Sequence, residues 1–81
     1  MAQLPEYKSW IAELEQGRTP TDLKHIGMTV AGRARFLINE IRSFEWPPAE
    51  RAQVEALIAR AKVIAQRRVE ERYWPYHRPG H

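Results

Sequence analysis

Apolar residues recur along this chain at intervals of three and four positions, which is the period of a helix that buries one face. The first such segment starts with Pro5, a residue suited to an opening helical turn, and is followed by Gly17, which favours a helix end. We therefore predict an amphipathic helix over residues 5–16. Its apolar stripe consists of Leu4, Tyr7, Ile11 and Leu14.

A short second helix is predicted over residues 20–26, because Thr19 occupies an N-cap position before Pro20. Gly27 is expected to end this helix, since glycine adopts the left-handed conformation after a helix end without steric cost. The pattern therefore predicts a brief helix between two turns.

Thr29 is predicted to cap a third helix over residues 30–44. Gly32 lies in its first turn, although a glycine in a helix interior costs up to about 1 kcal/mol relative to alanine. We expect the close approach of another backbone to compensate for that cost. The apolar stripe of this helix consists of Val30, Ala34, Leu37, Ile38, Ile41 and Phe44.

The last helix is predicted over residues 48–74, because Pro47 and Pro48 cannot continue the third helix and nothing interrupts the pattern after them. Its apolar stripe consists of Val54, Leu57, Ile58, Ala61, Ile64 and Ala65, and the opposite side carries Arg51, Glu55, Ala59, Lys62 and Gln66. The tight corner between the third and fourth helices makes them neighbours, so together they should supply the centre of the core. That predicted centre consists of Leu37, Ile38, Ile41, Leu57, Ile58 and Ala61.

The pattern as a whole predicts an all-α fold, since no segment alternates with the period of two that strands require. We predict a small orthogonal bundle of four helices, three main ones and one short one. A helix of about 26 residues is about 40 Å long, whereas a compact chain of this length is about 30 Å across. The last helix should therefore project, which divides the chain into a helical domain, residues 1–68, and a helix end with an aromatic and basic tail, residues 69–81.

Composition narrows the cellular setting of the protein. The chain has 81 residues, no cysteine and a formal net charge of +3. The lack of cysteine excludes disulfides and cysteine zinc sites and favours a reducing compartment. No apolar run approaches the length needed to cross a bilayer, so we expect a cytoplasmic protein that makes no membrane contact. We also expect no cofactor.

The tail combines aromatic side chains with arginines, a composition enriched among the anchors of protein interfaces. We therefore predict a non-catalytic protein–protein interaction module, either an adaptor, an accessory subunit or a component of a homo-oligomer. In the alternative interpretation, Tyr73 and Trp74 fold back onto Trp10 or Trp46 and belong to the core. The predicted partner-binding residues of this region are Arg67, Arg68, Arg72, Tyr73, Trp74, Tyr76 and Arg78.

A second function stays open, that of a small nucleic-acid-binding regulator. The excess of basic residues lies in the second half of the chain, and clustered cations suffice to neutralise phosphates. Glu70 and Glu71 interrupt this cluster, and Arg67 forms a four-residue helical pair with Glu71. The basic residues concerned are Arg60, Lys62, Arg67, Arg68, Arg72 and Arg78.

The stretch over residues 22–41 joins an Asp-Leu-Lys helix, an Ile-Gly-Met turn and a helix opened by glycine. It resembles the C-terminal part of a sterile alpha motif domain. The resemblance implies a protein interaction module in which the N-terminal end of the long helix, with Arg33 and Arg35, contacts an acidic surface. The chain departs from the family at Arg33 and Ala34, where the family has His-Arg, and in the few residues before Asp22. The matching positions are Asp22, Leu23, Lys24, Ile26, Gly27, Met28, Gly32, Leu37, Ile38 and Ile41.

Residues that commonly carry catalysis are present without a catalytic pattern. Ser9 and Ser43 have no histidine at a spacing that indicates activation of a nucleophile. His77 and His81 supply two metal ligands without a nearby carboxylate, fewer than a zinc site requires. We therefore expect neither an enzyme nor a metal site.

Overall fold

A computed structural model describes the backbone of residues 3–77 and the side chains of residues 3–66. The described backbone is helical and contains no strand, which confirms the predicted all-α class. The helices, in chain order, are α1 (Leu4–Glu15), a 3₁₀ helix (Thr21–Ile26), α2 (Val30–Arg42) and α3 (Pro48–His77). The largest helix–helix contact joins α2 and α3, as expected from the short corner between them.

Two predicted capping residues, at the end of the 3₁₀ helix and at the start of α2, are confirmed. Gly27 has a φ of 68°, in the left-handed region that glycine adopts without a Cβ clash. The Thr29 side chain accepts a hydrogen bond from the backbone N–H of Gly32 at 3.1 Å. Local hydrogen bonding therefore sets the start of α2, as the sequence predicted.

The predicted cap of the second helix is wrong. Pro20 occupies the N-cap position and makes no side-chain cap hydrogen bond, and the helix that follows it, Thr21–Ile26, is a 3₁₀ helix. Thr19 instead accepts a hydrogen bond from Nη1 of Arg33 at 3.2 Å. The Thr19 hydroxyl thus stabilises a tertiary contact rather than a helix end.

The end of α2 and the end of α3 also differ from the prediction. Helix α2 ends at Arg42, because the Ser43 hydroxyl donates to the carbonyl of Glu40 and terminates the last turn. Helix α3 continues to His77 rather than ending at residue 74. A proline lacks a backbone N–H and its ring crowds the carbonyl four residues before it, which usually bends or ends a helix, yet the backbone of α3 is helical on both sides of position 75.

The expected approach of a second backbone to Gly32 is also wrong. A Cβ placed on Gly32 would lie 3.0 Å from Cβ of Met28 and 3.4 Å from Oγ1 of Thr29. The nearest atoms therefore belong to side chains of the turn that precedes α2. Glycine at this position leaves room for that turn and for its capping threonine.

The predicted centre of the core is largely confirmed. Five of its members are buried, and Ile58 is partly buried at the edge of the core. Helix α1 contributes more than the pattern indicated, because Tyr7, Ile11 and Leu14 have no exposed surface. The described core consists of Leu4, Tyr7, Ile11, Leu14, Leu23, Ala34, Leu37, Ile38, Ile41, Val54, Leu57, Ala61, Ile64 and Ala65.

The last helix is longer than the bundle that it helps to form. Ala65 is the last buried residue of the described side chains, and the backbone of α3 continues for twelve residues beyond it, or about 18 Å. The molecule measures 51 × 24 × 20 Å, with a radius of gyration of 14.1 Å. A compact chain of this size has a radius of gyration near 12 Å, so the length of α3 determines the elongated shape.

Candidate interaction surfaces

Helix α3 has two faces of different composition. One face lies in the core and carries larger aliphatic residues, among them Val54, Leu57 and Ile64. The opposite face is exposed and carries small apolar residues, with Val63 retaining 54 % of its surface. We call this exposed row the outer stripe; it consists of Ala49, Ala52, Ala56, Ala59 and Val63.

The outer stripe is not among the features that the apolar pattern predicted. Its spacing of three and four was legible in the sequence, as was that of the core stripe. The longer aliphatic side chains on the other face of α3 are the stronger signal for burial, and the prediction placed the core there. Ala59 alone was placed on the exposed side, and the structure adds the other members.

A groove opens at the N-terminal end of α3, between the start of α1 and the corner that joins α2 to α3. Its volume is about 480 Å³. Trp46 and Phe44 supply aromatic walls, and Lys8 and Glu50 supply charges of opposite sign. We call it the corner groove; it is lined by Gln3, Leu4, Pro5, Lys8, Phe44, Glu45, Trp46, Pro47, Glu50 and Gln53.

The aromatic walls of the corner groove are held in place by Tyr7. Its ring lies 6.1 Å from that of Trp46 and 6.5 Å from that of Phe44, and those two rings make an edge contact at 6.0 Å. The indole N–H of Trp46 donates to the carbonyl of Ile41 at 2.8 Å. The hydroxyl of Tyr7 donates to Oε2 of Glu40 at 2.5 Å. These contacts fix the rings, so the groove is preformed.

Burial raises the pKa of Tyr7 above its ordinary value of 10, and the hydrogen bond to Glu40 raises it further. The two causes are distinct but act in the same direction: burial disfavours the charged tyrosinate, and the Glu40 carboxylate accepts a hydrogen bond from the neutral hydroxyl and repels the anion. Tyr7 therefore stays protonated as a hydrogen-bond donor throughout the neutral range.

Arg33, one of the two predicted contact residues on α2, makes hydrogen bonds within the chain. Its side chain is half-buried and donates from Nε to the carbonyl of Leu23 at 3.2 Å, in addition to the bond with Thr19. These bonds join α2 to the 3₁₀ helix and to the loop before it. Arg35, the other predicted residue, is exposed.

We expect Arg33→Ala to lower the free energy of unfolding by about 1.5 to 3 kcal/mol, because it removes two hydrogen bonds from a charged donor. Urea denaturation followed by circular dichroism measures the change. Arg35→Ala is the matched control, with a change within about 0.5 kcal/mol. Equal effects of the two substitutions would show that the bonds of Arg33 carry no stability.

The predicted partner-binding residues of the last helix lie beyond residue 66, the last residue with a described side chain. The backbone at positions 67, 68, 72, 73, 74 and 76 belongs to α3, and the side chains there lie outside the described residues, as does Arg78. The structure therefore gives the path of the helix that presents these residues and leaves their contacts as predictions.

The two serines lie on different helices: Ser9 is in α1, and Ser43 directly follows α2. Ser9 and Ser43 are exposed, and the Ser43 hydroxyl caps α2. Among the described residues, no three His, Cys, Asp or Glu side chains come together as a metal-binding group. Glu15 accepts two hydrogen bonds from Arg60, at 3.0 and 2.5 Å, and so links α1 to α3.

Within the described residues, no helix is both long and apolar enough to cross a membrane. Comparisons with protein-family models, curated proteins and solved structures found no match to this chain.

Proposed function

We propose that this chain is a non-catalytic protein–protein interaction module that docks through α3 and the tail, residues 69–81, which includes the last turns of that helix. The observation that carries this proposal is the length of α3, which runs about 18 Å beyond Ala65, its last described buried residue. Helix turns that extend past the core expose their side chains to solvent or to another chain. In this sequence those turns carry Tyr73, Trp74 and arginines, the residue types enriched at the centre of interfaces.

Two residue types in the tail support protein docking over phosphate binding. Tyrosine and tryptophan bury a large apolar area and lose little conformational entropy when they are fixed. The backbone at Tyr73 and Trp74 already belongs to α3, so docking there loses less backbone entropy than the ordering of a free tail would. We place this interaction in the cytoplasm, where a chain without cysteine needs no oxidising compartment.

The charges on the described part of α3 also favour a protein partner. Arg60 is paired with Glu15, and Arg51 donates from Nε to the carbonyl of Trp46 at 3.4 Å. Lys62 lies two helical turns after the acidic Glu55, on the same side of the helix. Such a mixed face offers weaker attraction to a polyphosphate backbone than an uninterrupted row of cations does.

The resemblance to the sterile alpha motif family suggests a second contact surface at the start of α2. Arg35 is exposed there and adds positive charge to the N-terminal end of the helix, where the helix dipole is also positive. We propose Arg35 as the residue through which an acidic partner would use this surface.

Truncation after Arg68 tests the proposed docking surface. The shortened chain should keep its helical circular dichroism and lose tail-dependent capture of a partner from an extract of the source cells. A chain with Tyr73, Trp74 and Tyr76 changed to alanine should lose the same capture. Lys24→Gln, an exposed change on the 3₁₀ helix, is the matched control and should retain it.

Salt dependence separates the two functions. Capture through aromatic anchors should change little between 50 and 200 mM salt, whereas phosphate binding falls by orders of magnitude over that range. If the chain captures a nucleic acid at low salt and loses it at 200 mM salt, the protein-docking proposal is wrong and a nucleic-acid-binding role replaces it. Unfolding of the truncated chain would assign the tail to the core of its own domain.

A further inference from the structure

The lining of the corner groove carries more negative than positive charge. Glu45 is exposed and Glu50 is partly exposed, and neither carboxylate has a salt-bridge partner among the described residues. Lys8 supplies the positive charge of the lining, and its amino group donates a hydrogen bond to Oε1 of Gln53 at 2.7 Å. The groove is therefore acidic, although the chain as a whole has a net charge of +3.

Two aromatic rings line the same groove as these carboxylates. Phe44 and Trp46 are both partly exposed, and their contacts with Tyr7 hold them in place. The indole N–H of Trp46 is bonded to the carbonyl of Ile41, so this ring offers the groove an apolar π surface and no N–H donor. Aromatic rings beside carboxylates attract a cation, because the negative ring faces and the anions both favour positive charge.

The backbone donors at this end of the bundle argue against an anionic ligand. Helices α1 and α3 both begin at the groove, and a helix start can bind an anion through its free N–H groups. At the start of α3, Pro47 and Pro48 have no N–H, and the N–H of Glu50 donates to the carbonyl of Pro47 at 2.9 Å. At the start of α1, the N–H of Gln3 donates to Oε1 of Glu6 at 3.1 Å, and the N–H of Glu6 donates to the carbonyl of Gln3 at 3.0 Å. The groove therefore presents carboxylates and rings to a ligand.

An arginine side chain matches these features better than other cations do. Its planar guanidinium stacks on an indole ring, and its N–H groups bind a carboxylate through two parallel hydrogen bonds. A lysine ammonium is a point charge and makes neither planar contact. The volume of the groove, about 480 Å³, is in the range of small-ligand sites and accommodates the residues next to the arginine as well.

We propose that the corner groove binds an arginine side chain presented by an extended segment of a partner protein. The guanidinium stacks on Trp46 and pairs with the carboxylates of Glu45 and Glu50, which have no salt-bridge partner within the described residues. This site is separate from the tail and goes beyond the proposed docking through α3. Every residue that carries it lies between Gln3 and Gln53 and has a described side chain.

Titration of the full-length chain with the peptide acetyl-Gly-Arg-Gly-amide tests the site. Saturable shifts are expected in the amide NMR signals of groove residues, among them Gln3, Lys8 and Gln53. A peptide with citrulline in place of arginine keeps the planar group without the charge, and it should bind at least about fivefold more weakly. A lysine peptide should bind about threefold more weakly, because an ammonium does not stack. Equal affinity for the citrulline peptide, or no saturable shift at millimolar peptide, overturns the proposal.

Neutral substitutions in the groove test its charge. Glu45→Gln/Glu50→Gln removes both carboxylate charges and should weaken binding of the arginine peptide about fivefold to tenfold. Both side chains reach the surface, so the variant should keep its helical circular dichroism. Glu55→Gln, an exposed change on α3 outside the groove lining, is the matched control and should leave binding unchanged. Unchanged binding by the double variant, or tighter binding of acetyl-Gly-Glu-Gly-amide than of the arginine peptide, would show that the groove does not select a cation.

The peptide titration and the truncation after Arg68 fail separately. A groove that binds no arginine peptide overturns this site and leaves docking through the tail as proposed. Capture that survives the truncation overturns the tail as the docking surface. If Glu45→Gln/Glu50→Gln then abolishes that capture, the corner groove is the surface that holds the partner.

Discussion

Leu57→Ala is expected to lower the free energy of unfolding by about 2 to 5 kcal/mol. Leu57 is 2 % exposed and lies in the cluster that joins α3 to α1 and α2. Alanine would leave a cavity at the junction of all three helices. Because small domains are stable by only about 5 to 15 kcal/mol, this one change removes a large part of the total. Urea denaturation at fixed protein concentration measures it.

Met28→Ala is the matched control for this prediction. Met28 is 44 % exposed and lies in the turn before α2, so its truncation removes few buried contacts. We expect a change within about 0.5 kcal/mol. If Leu57→Ala and Met28→Ala had similar effects, the assignment of Leu57 to the centre of the core would be incorrect.

The second large effect is expected at Tyr7. Tyr7→Ala should lower the free energy of unfolding by about 3 to 5 kcal/mol, because it removes a fully buried ring that contacts Trp10, Phe44 and Trp46. Tyr7→Phe keeps the ring and removes only the hydroxyl bonded to Glu40. It should cost about 1 to 3 kcal/mol. Denaturant titrations of both variants separate the packing of the ring from its hydrogen bond.

Alkaline pH provides an independent measure of the same hydroxyl. The folded pKa of Tyr7 is raised above the unfolded value of 10, so its contribution to stability is complete below pH 10. As pH rises above 10 towards the raised pKa, the unfolded chain ionises first. Stability then falls by up to about 1.4 kcal/mol per pH unit. Tyr7→Phe should lack this component, and the difference between its pH profile and that of the wild-type chain isolates it. Parallel profiles would contradict the buried hydrogen bond.

These two positions link the stability of the bundle to its candidate interaction surfaces. Leu57 lies on the face of α3 opposite the outer stripe, so its burial in the core leaves the stripe exposed. Tyr7 supports the two rings that form the walls of the corner groove.

The sequence by itself determined the helices and several of their ends. Apolar spacing of three and four located α1, α2 and α3, because a helix forms where one face can be buried. Thr29 and Gly27 marked the turn before α2, since a capping hydroxyl and a left-handed backbone act on atoms a few residues away. Such interactions are local, and residue type together with spacing is enough to predict them.

Only the tertiary structure decided the roles of Arg33, Thr19 and Tyr7. Arg33 reaches residues ten and fourteen positions earlier, and Tyr7 pairs with Glu40 thirty-three positions away. No spacing rule connects such positions, because the folded backbone brings them together. Arg33, which the family resemblance implied as a partner contact, makes its hydrogen bonds inside its own chain.

The outer stripe shows the same division within a single helix. Alanine is compatible with both the interior and the surface, so the alanines of α3 did not by themselves indicate which face the core would cover. Leu57 and Ile64 pack against α1 and α2 and fix the rotation of the helix. That rotation leaves the outer stripe exposed, because the two packed helices occupy one side of α3 only.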